Sequence, residues 1–257
     1  VIQLLHRGSS DAPLWLAIHG WGFDHCCWQP LVQSLQAQGA DLNLFVVDLP
    51  GFGADQIAQA SNAGAWIDTA LGFLSVWIAQ QGRPVNLLGW SLGGQLAIRL
   101  ALRSEHVDSV VCVATNPQFV QQKNWPCAMD AAVYRQFCDA FSANPEITLK
   151  RFAGLVAEGA ALNRKALMSF LARSLDAADA GHALSALKEL DDRHRLSALS
   201  SAHWLLGARD GLVPVALADT FPASIAVEVI EGAGHALPFT HPDRIARVLQ
   251  APTEAAG

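Results

Sequence analysis

The chain has 257 residues, 51% of them hydrophobic and 16% charged, with a formal net charge of −6. That balance excludes a disordered polyelectrolyte and argues against a nucleic-acid binder, which is ordinarily basic. A chain of this length buries roughly three quarters of its unfolded surface, enough for one α/β unit with a sizeable core.

The opening Val1–Leu5, followed by His6-Arg7-Gly8, lacks the basic-then-apolar order of a secretory leader. The longest apolar stretches, such as Ala70–Ala79, reach only about half of the ~20 residues of a membrane span. The 5 cysteines contain no CxxC, and no His–Cys spacing suits zinc. Free thiols in a reducing compartment are therefore expected, and with them a cytoplasmic protein without metal or organic cofactor.

In chain order, Leu14–Ile18 reads as a buried strand and runs into His19-Gly20-Trp21-Gly22. Further short apolar runs follow at Leu42–Val47, Val85–Leu88, Ser109–Ala114, Ala202–Leu206 and Ile225–Ile230. Runs of this kind mark strands covered on both faces, the pattern of a parallel sheet. Helical patterns lie between them at Trp28–Gln38, Trp66–Gln80 and Gly93–Leu102, with a last one at Asp243–Leu249. The alternation predicts an α/β fold with a mostly parallel, doubly wound sheet. Residues 117–185 break it with helical patterns only, at Ala131–Phe141, Ile147–Glu158 and Arg164–Leu175. They predict a helical cap or lid over 117–185, set on a core of 1–116 and 186–257. The cap segment holds 7 Lys/Arg against 6 Asp/Glu, whereas the remainder holds 10 against 17.

Chemistry concentrates at three places. Gly89-Trp90-Ser91-Leu92-Gly93-Gly94 follows a strand and opens a helix, the setting of a nucleophile elbow. A serine hydroxyl is a weak nucleophile at neutral pH and needs a base. His235, in a glycine loop past the sixth run, is the candidate. His19, which ends the first run, is expected to fix a loop instead. The remaining histidines read as surface or satisfied groups. Asp210, just past the fifth run, is the carboxylate expected to orient the imidazole, and the order Ser91, Asp210, His235 is the one this elbow predicts. Asp48 precedes the serine and is expected to hold the Leu49–Gly53 turn. The N–H groups of Leu92, at a helix start, and Trp21, between glycines, are the oxyanion candidates.

With these residues the chain resembles the α/β-hydrolase superfamily. More narrowly, it resembles the pimeloyl-[acyl-carrier protein] methyl ester esterases of biotin synthesis. The likeness rests on His19-Gly20-Trp21-Gly22, Val47–Gly53, the elbow, Asn124-Trp125-Pro126 and Asp210–Pro214. It implies an α/β-hydrolase fold and a monomeric serine carboxylesterase whose partner is an acyl-carrier protein bearing the substrate. It implies substrate contacts at Trp21, Leu92, Phe152, Ala153, Gly154, Leu155, Val156 and His235. Carrier docking would fall to cap cations: Arg151 and Arg164 match two of the family's basic positions, Ile147 and Met168 occupy two others, and Lys150 and Lys165 stand beside them. An acidic carrier suits the one segment that is not net acidic. Trp21, Trp90, Phe119, Trp125, Phe152, Leu155 and Leu237 are candidates to line an acyl slot. The residues leave open a general short-acyl carboxylesterase acting on small esters, a carbon–carbon hydrolase, an acyltransferase, and a non-catalytic binding module. No membrane or nucleic-acid partner is implied.

Overall fold

Among the described residues seven strands form one sheet: β1 (Ile2–His6), β2 (Leu14–Ile18), β3 (Asn43–Val47), β4 (Val85–Trp90), β5 (Val107–Val113), β6 (Ala202–Gly207) and β7 (Ala226–Ile230), in the order β1-β3-β2-β4-β5-β6-β7. The computed structural model describes residues 2–53, 60–159, 162, 164–199 and 201–251, without the side chain of Arg164. The six strands read from apolar runs pair in parallel, whereas β1 pairs antiparallel with β3. β1 is not among the apolar runs of the sequence. A five-residue edge strand that is only partly buried offers no continuous apolar run to mark it.

The two-residue side-chain period builds two cores. Leu14, Leu16 and Ile18 of β2 face one cluster with α2 (Ala63–Gln80) and α3 (Leu92–Ala101). Trp15 and Ala17 face the other, with α1 (Gln29–Ala37) and α9 (Pro242–Gln250), the latter preceded by the single turn α8 (Leu237–Thr240). A strand buried on both sides must be apolar throughout, and all five residues of β2 are buried.

Between β5 and β6 the chain is helical: α4 (Ala131–Ala143), α5 (Pro145–Ala157), α6 (Arg164–Met168) and α7 (Ala177–Glu189). Asp130, Asn144 and Asp176 cap the starts of α4, α5 and α7 with side-chain oxygens on exposed N–H groups. Two readings differ here. The helix expected over Arg164–Leu175 stops at Met168, because the following residues bond to the sheet-top loops. Ala172 donates to the Gly22 carbonyl at 3.0 Å, Gly53 to that of Ser174 at 3.0 Å and Asp176 to that of Gly51 at 3.0 Å. The helical stretch also runs past 185, since α7 continues to Glu189 and packs on α2 of the core. Among the described residues no helix is long and apolar enough to cross a membrane.

Candidate active site

Ser91 sits between the end of β4 and the start of α3 with φ 54° and ψ −116°. A non-glycine residue there costs about 1–3 kcal/mol, and the strain persists only where the surroundings enforce it. They do. A Cβ on Gly89 would stand 2.5 Å from the Gly93 carbonyl oxygen, and one on Gly93 would run into that of Ile18. The glycines on either side of the serine thus let β4, α3 and the end of β2 close on one another. Leu92 is the first residue of α3, so its N–H has no intrahelical partner and lies at the positive helix end.

The loops after β6 and β7 interlock beside this turn. The Arg209 N–H donates to the Ala233 carbonyl at 2.8 Å, which aligns Asp210 with His235. His235 Nδ1 lies 2.8 Å from Asp210 Oδ2, with both side chains 1% exposed. A carboxylate only accepts, so Nδ1 carries the proton and Nε2 keeps a lone pair. The other Asp210 oxygen, Oδ1, accepts from the N–H groups of Leu212 at 2.8 Å and Val213 at 2.9 Å, which locks the carboxylate. Trp90 fastens this assembly to the elbow. Its indole N–H donates to the His235 carbonyl at 3.0 Å, and the two rings lie 5.7 Å apart. Among the described residues the Ser91 hydroxyl has no hydrogen-bond partner, and catalytic bonds of this kind commonly tighten only around substrate.

The loop after β2 carries Trp21. His19 is fully buried, with Nδ1 2.8 Å from the Gly20 carbonyl and Nε2 accepting the Leu49 N–H at 2.9 Å. This is the loop-fixing role expected of it, and burial pushes its imidazole below the ordinary range. Asp48 takes the other end of the loop through His25, at 2.7 Å from its N–H and 2.9 Å from Nδ1. Among the described residues its hydrogen bonds thus hold the loop after β2, and none joins it to the Leu49–Gly53 turn it was expected to hold. The Trp21 indole N–H donates to the Ala180 carbonyl of α7 at 2.8 Å. Among the described residues its backbone N–H has no acceptor.

An apolar cavity of about 510 Å³, its mouth included, opens above Ser91. Trp21, Phe119, Phe152 and Leu155 line it, as the sequence reading expected of them. Trp90, Trp125 and Leu237 do not. Trp90 and Leu237 are buried in the core beneath the site, and the Trp125 indole donates to Asn116 Oδ1 at 3.1 Å. Met129, Val133, Tyr134, Phe137, Leu184, Leu187 and Leu212 complete the wall. For Val133, Tyr134, Phe137, Leu184 and Leu187 the signal is the helical spacing of apolar residues on α4 and α7, which reads equally as core, whereas Met129 and Leu212 lie in loops without a periodic pattern. Of the segment 152–156, Ala153 and Val156 are wholly buried in core packing, while Gly154 is half-buried. Leu92 is also wholly buried, leaving its backbone N–H as the group it offers.

Lys150 pairs with Glu146 at 2.5 Å, Arg151 and Lys165 are exposed, and the side chain of Arg164 lies outside the described residues. Ile147 is 48% exposed and Met168 half-buried. A second constellation, Cys26–His25–Asp48, imitates a triad beside the first loop. Burial and the neighbouring Asp24 carboxylate push the Cys26 thiol up to about 11, which denies it nucleophilic character at neutral pH.

The strained serine turn, the interlocked strand-end loops and the helical segment over them define a class. The chain belongs to the alpha/beta hydrolase family, whose profile matches residues 15–248. Within it, the chain is 33% identical over 248 residues to a pimeloyl-[acyl-carrier protein] methyl ester esterase of Xanthomonas oryzae pv. oryzae, covering 93% of this chain and 94% of that protein. It is 34% identical over 246 residues to the biotin biosynthesis bifunctional protein BioHC of Cellvibrio japonicus, covering 93% of this chain and 47% of that protein. The chain thus spans about half the length of these two-function relatives. Among solved structures, an esterase from Exiguobacterium antarcticum superposes with a TM-score of 0.83 at 20% identity, over 96% of this chain and 92% of that one. At that identity the likeness concerns the fold alone.

Proposed function

We propose that the chain is a serine carboxylesterase that hydrolyses the methyl ester of pimeloyl-[acyl-carrier protein] in biotin biosynthesis. One observation carries the reaction class: Ser91, in its strained turn, stands at the foot of an apolar slot, and its neighbour Trp90 is bonded to the His235 carbonyl of the buried His235–Asp210 pair. The substrate comes from the relatives named for it, and the slot suits it. An apolar wall accepts a methylene chain and a neutral ester, whereas a free carboxylate placed there would pay its desolvation unpaired.

In this reading Ser91 Oγ attacks the ester carbonyl carbon while His235 Nε2 takes the hydroxyl proton. The oxyanion is held by the N–H groups of Leu92 and Trp21. Asp210 stabilises the imidazolium and fixes its tautomer. Collapse breaks the bond to methoxide, which receives the same proton and leaves as methanol. Water, deprotonated by His235, then releases the acid and restores the serine. The cap, residues 117–185, supplies the slot. Lys150, Arg151, Arg164 and Lys165 are the candidates to dock the acidic carrier, and the enzyme works as a cytoplasmic monomer with its five cysteines as free thiols.

The test is kcat/KM on the carrier-bound pimeloyl methyl ester beside p-nitrophenyl acetate and butyrate, together with rescue of a biotin auxotroph lacking this esterase. A preference for the carrier substrate with rescue is expected. Equal or better use of the short esters without rescue would replace this reading with that of a general carboxylesterase.

A further inference from the structure

Outside the slot, the turn His25–Trp28 gathers chemistry that the proposed reaction does not use. Asp24, His25 and Cys26 place a carboxylate oxygen, an imidazole nitrogen and a sulfur all within 4.8 Å of one another. His25 Nε2 lies 3.6 Å from Cys26 Sγ. A tetrahedral cation bound at about 2.0 Å to an imidazole nitrogen and about 2.3 Å to a thiolate holds those two atoms ~3.6 Å apart. On the far side of the ring, His25 Nδ1 lies 2.9 Å from Asp48. That bond fixes the tautomer with Nε2 free to ligate, the carboxylate–histidine arrangement that orients metal-binding imidazoles.

A cation already sits on the cluster. Arg173 Nη2 donates to Cys26 Sγ at 2.8 Å and its Nε lies 3.6 Å from Asp24 Oδ2. Its side chain is 68% exposed, so it can leave the cluster for solvent without opening the core.

We infer that Asp24, His25 and Cys26 form a binding site for a zinc-class divalent cation, in which the metal displaces Arg173 and is oriented through Asp48. Binding forms the metal–sulfur bond, breaks the Arg173–Sγ hydrogen bond and releases the Cys26 thiol proton to solvent. A fourth position stays open to water. The site stands independently of the esterase reading.

Cobalt(II), the spectroscopic stand-in for zinc, tests it on the full chain. One equivalent should bind with a thiolate-to-cobalt charge-transfer band that excess Zn²⁺ bleaches. Cys26→Ser should lose the band, Asp48→Asn should weaken binding ~10–100-fold, and Arg173→Ala should tighten it. A variant-free measurement runs alongside at about pH 9, where a fraction of the Cys26 thiol ionises: Zn²⁺ should slow alkylation of Cys26 at least tenfold, read by peptide mass mapping, while the half-buried Cys138 keeps its rate. A wild-type chain without the band, a band that survives in Cys26→Ser, or alkylation of Cys26 indifferent to Zn²⁺ would overturn the site.

Discussion

The rim of the sheet and the cap are built by opposite means. At the rim, polar atoms are buried and paired: Asp210 spends both oxygens on three donors, and His19 spends both ring nitrogens on backbone. In the cap the wall over Ser91 is apolar, and its outer residues are open, Val133 at 52% and Leu155 at 39% exposure. Buried hydrogen bonds fix positions to within fractions of an ångström, whereas apolar contact is non-directional and tolerates substitution. On the proposed reading, reaction geometry belongs to the rim and substrate choice to the cap. Rim variants should lose turnover on all esters alike, while cap variants should shift the ranking of esters.

The largest effect is expected at Ser91. Ser91→Ala should lower kcat by ~10⁴-fold or more on every ester, with the melting temperature retained. Asp210→Asn should cost ~10⁴-fold in kcat, because the amide stabilises the wrong imidazole tautomer. Uniform loss on acetyl and pimeloyl esters, measured by steady-state kinetics, sharpens the division, and loss confined to one would break it. Val133→Trp, at the open mouth, should lower kcat/KM on long acyl esters about tenfold while sparing acetate, a loss of ~1.4 kcal/mol in transition-state binding. Arg151→Glu should raise KM for the carrier-bound substrate several-fold, more at low than at high salt, and leave small esters unchanged.

The smallest effect concerns stability. Burial holds His19 below the ordinary histidine pKa of ~6.5, so below that pH the unfolded chain binds a proton that the folded chain refuses. Stability then falls as the pH drops below ~6.5. His203, also pushed down by burial, acts in the same sense, and His25, raised by its bond to Asp48, acts in the opposite one. Replacing His19 by Gln should therefore flatten the acid limb of melting temperature against pH by ~2–4 °C without removing it. An unchanged slope would show that His19 does not carry this proton linkage.

The same contrast governs what the sequence discloses. Rim residues sit past the ends of strands, buried in β4 and β6 and partly exposed in β7, where an apolar run stops at a glycine or a carboxylate. Ser91, Asp210 and His235 are therefore legible as strand-end residues, and the structure gathers their three loops around Trp90. Cap residues carry no such punctuation. The wall positions of α4 and α7 repeat with the helical period, as any core face does, and α7 announces itself only through Asp176 at its start. The end of α6 at Met168 depends on carbonyls of distant loops, Gly22 and Gly51, which no local pattern contains. The Asp24-His25-Cys26 cluster is equally hidden. Its spacing suits no zinc motif, and only the turn and the return of Arg173 reveal it.

The central claim, that Ser91 is the nucleophile served by His235 and Asp210, is tested most directly by trapping it. A fluorophosphonate incubated with the full chain and mapped by peptide mass spectrometry should leave one adduct on Ser91, and labelling should be abolished in Ser91→Ala and strongly slowed in Asp210→Asn. An adduct on a different serine, or undiminished ester hydrolysis by the Ser91→Ala protein, would contradict it.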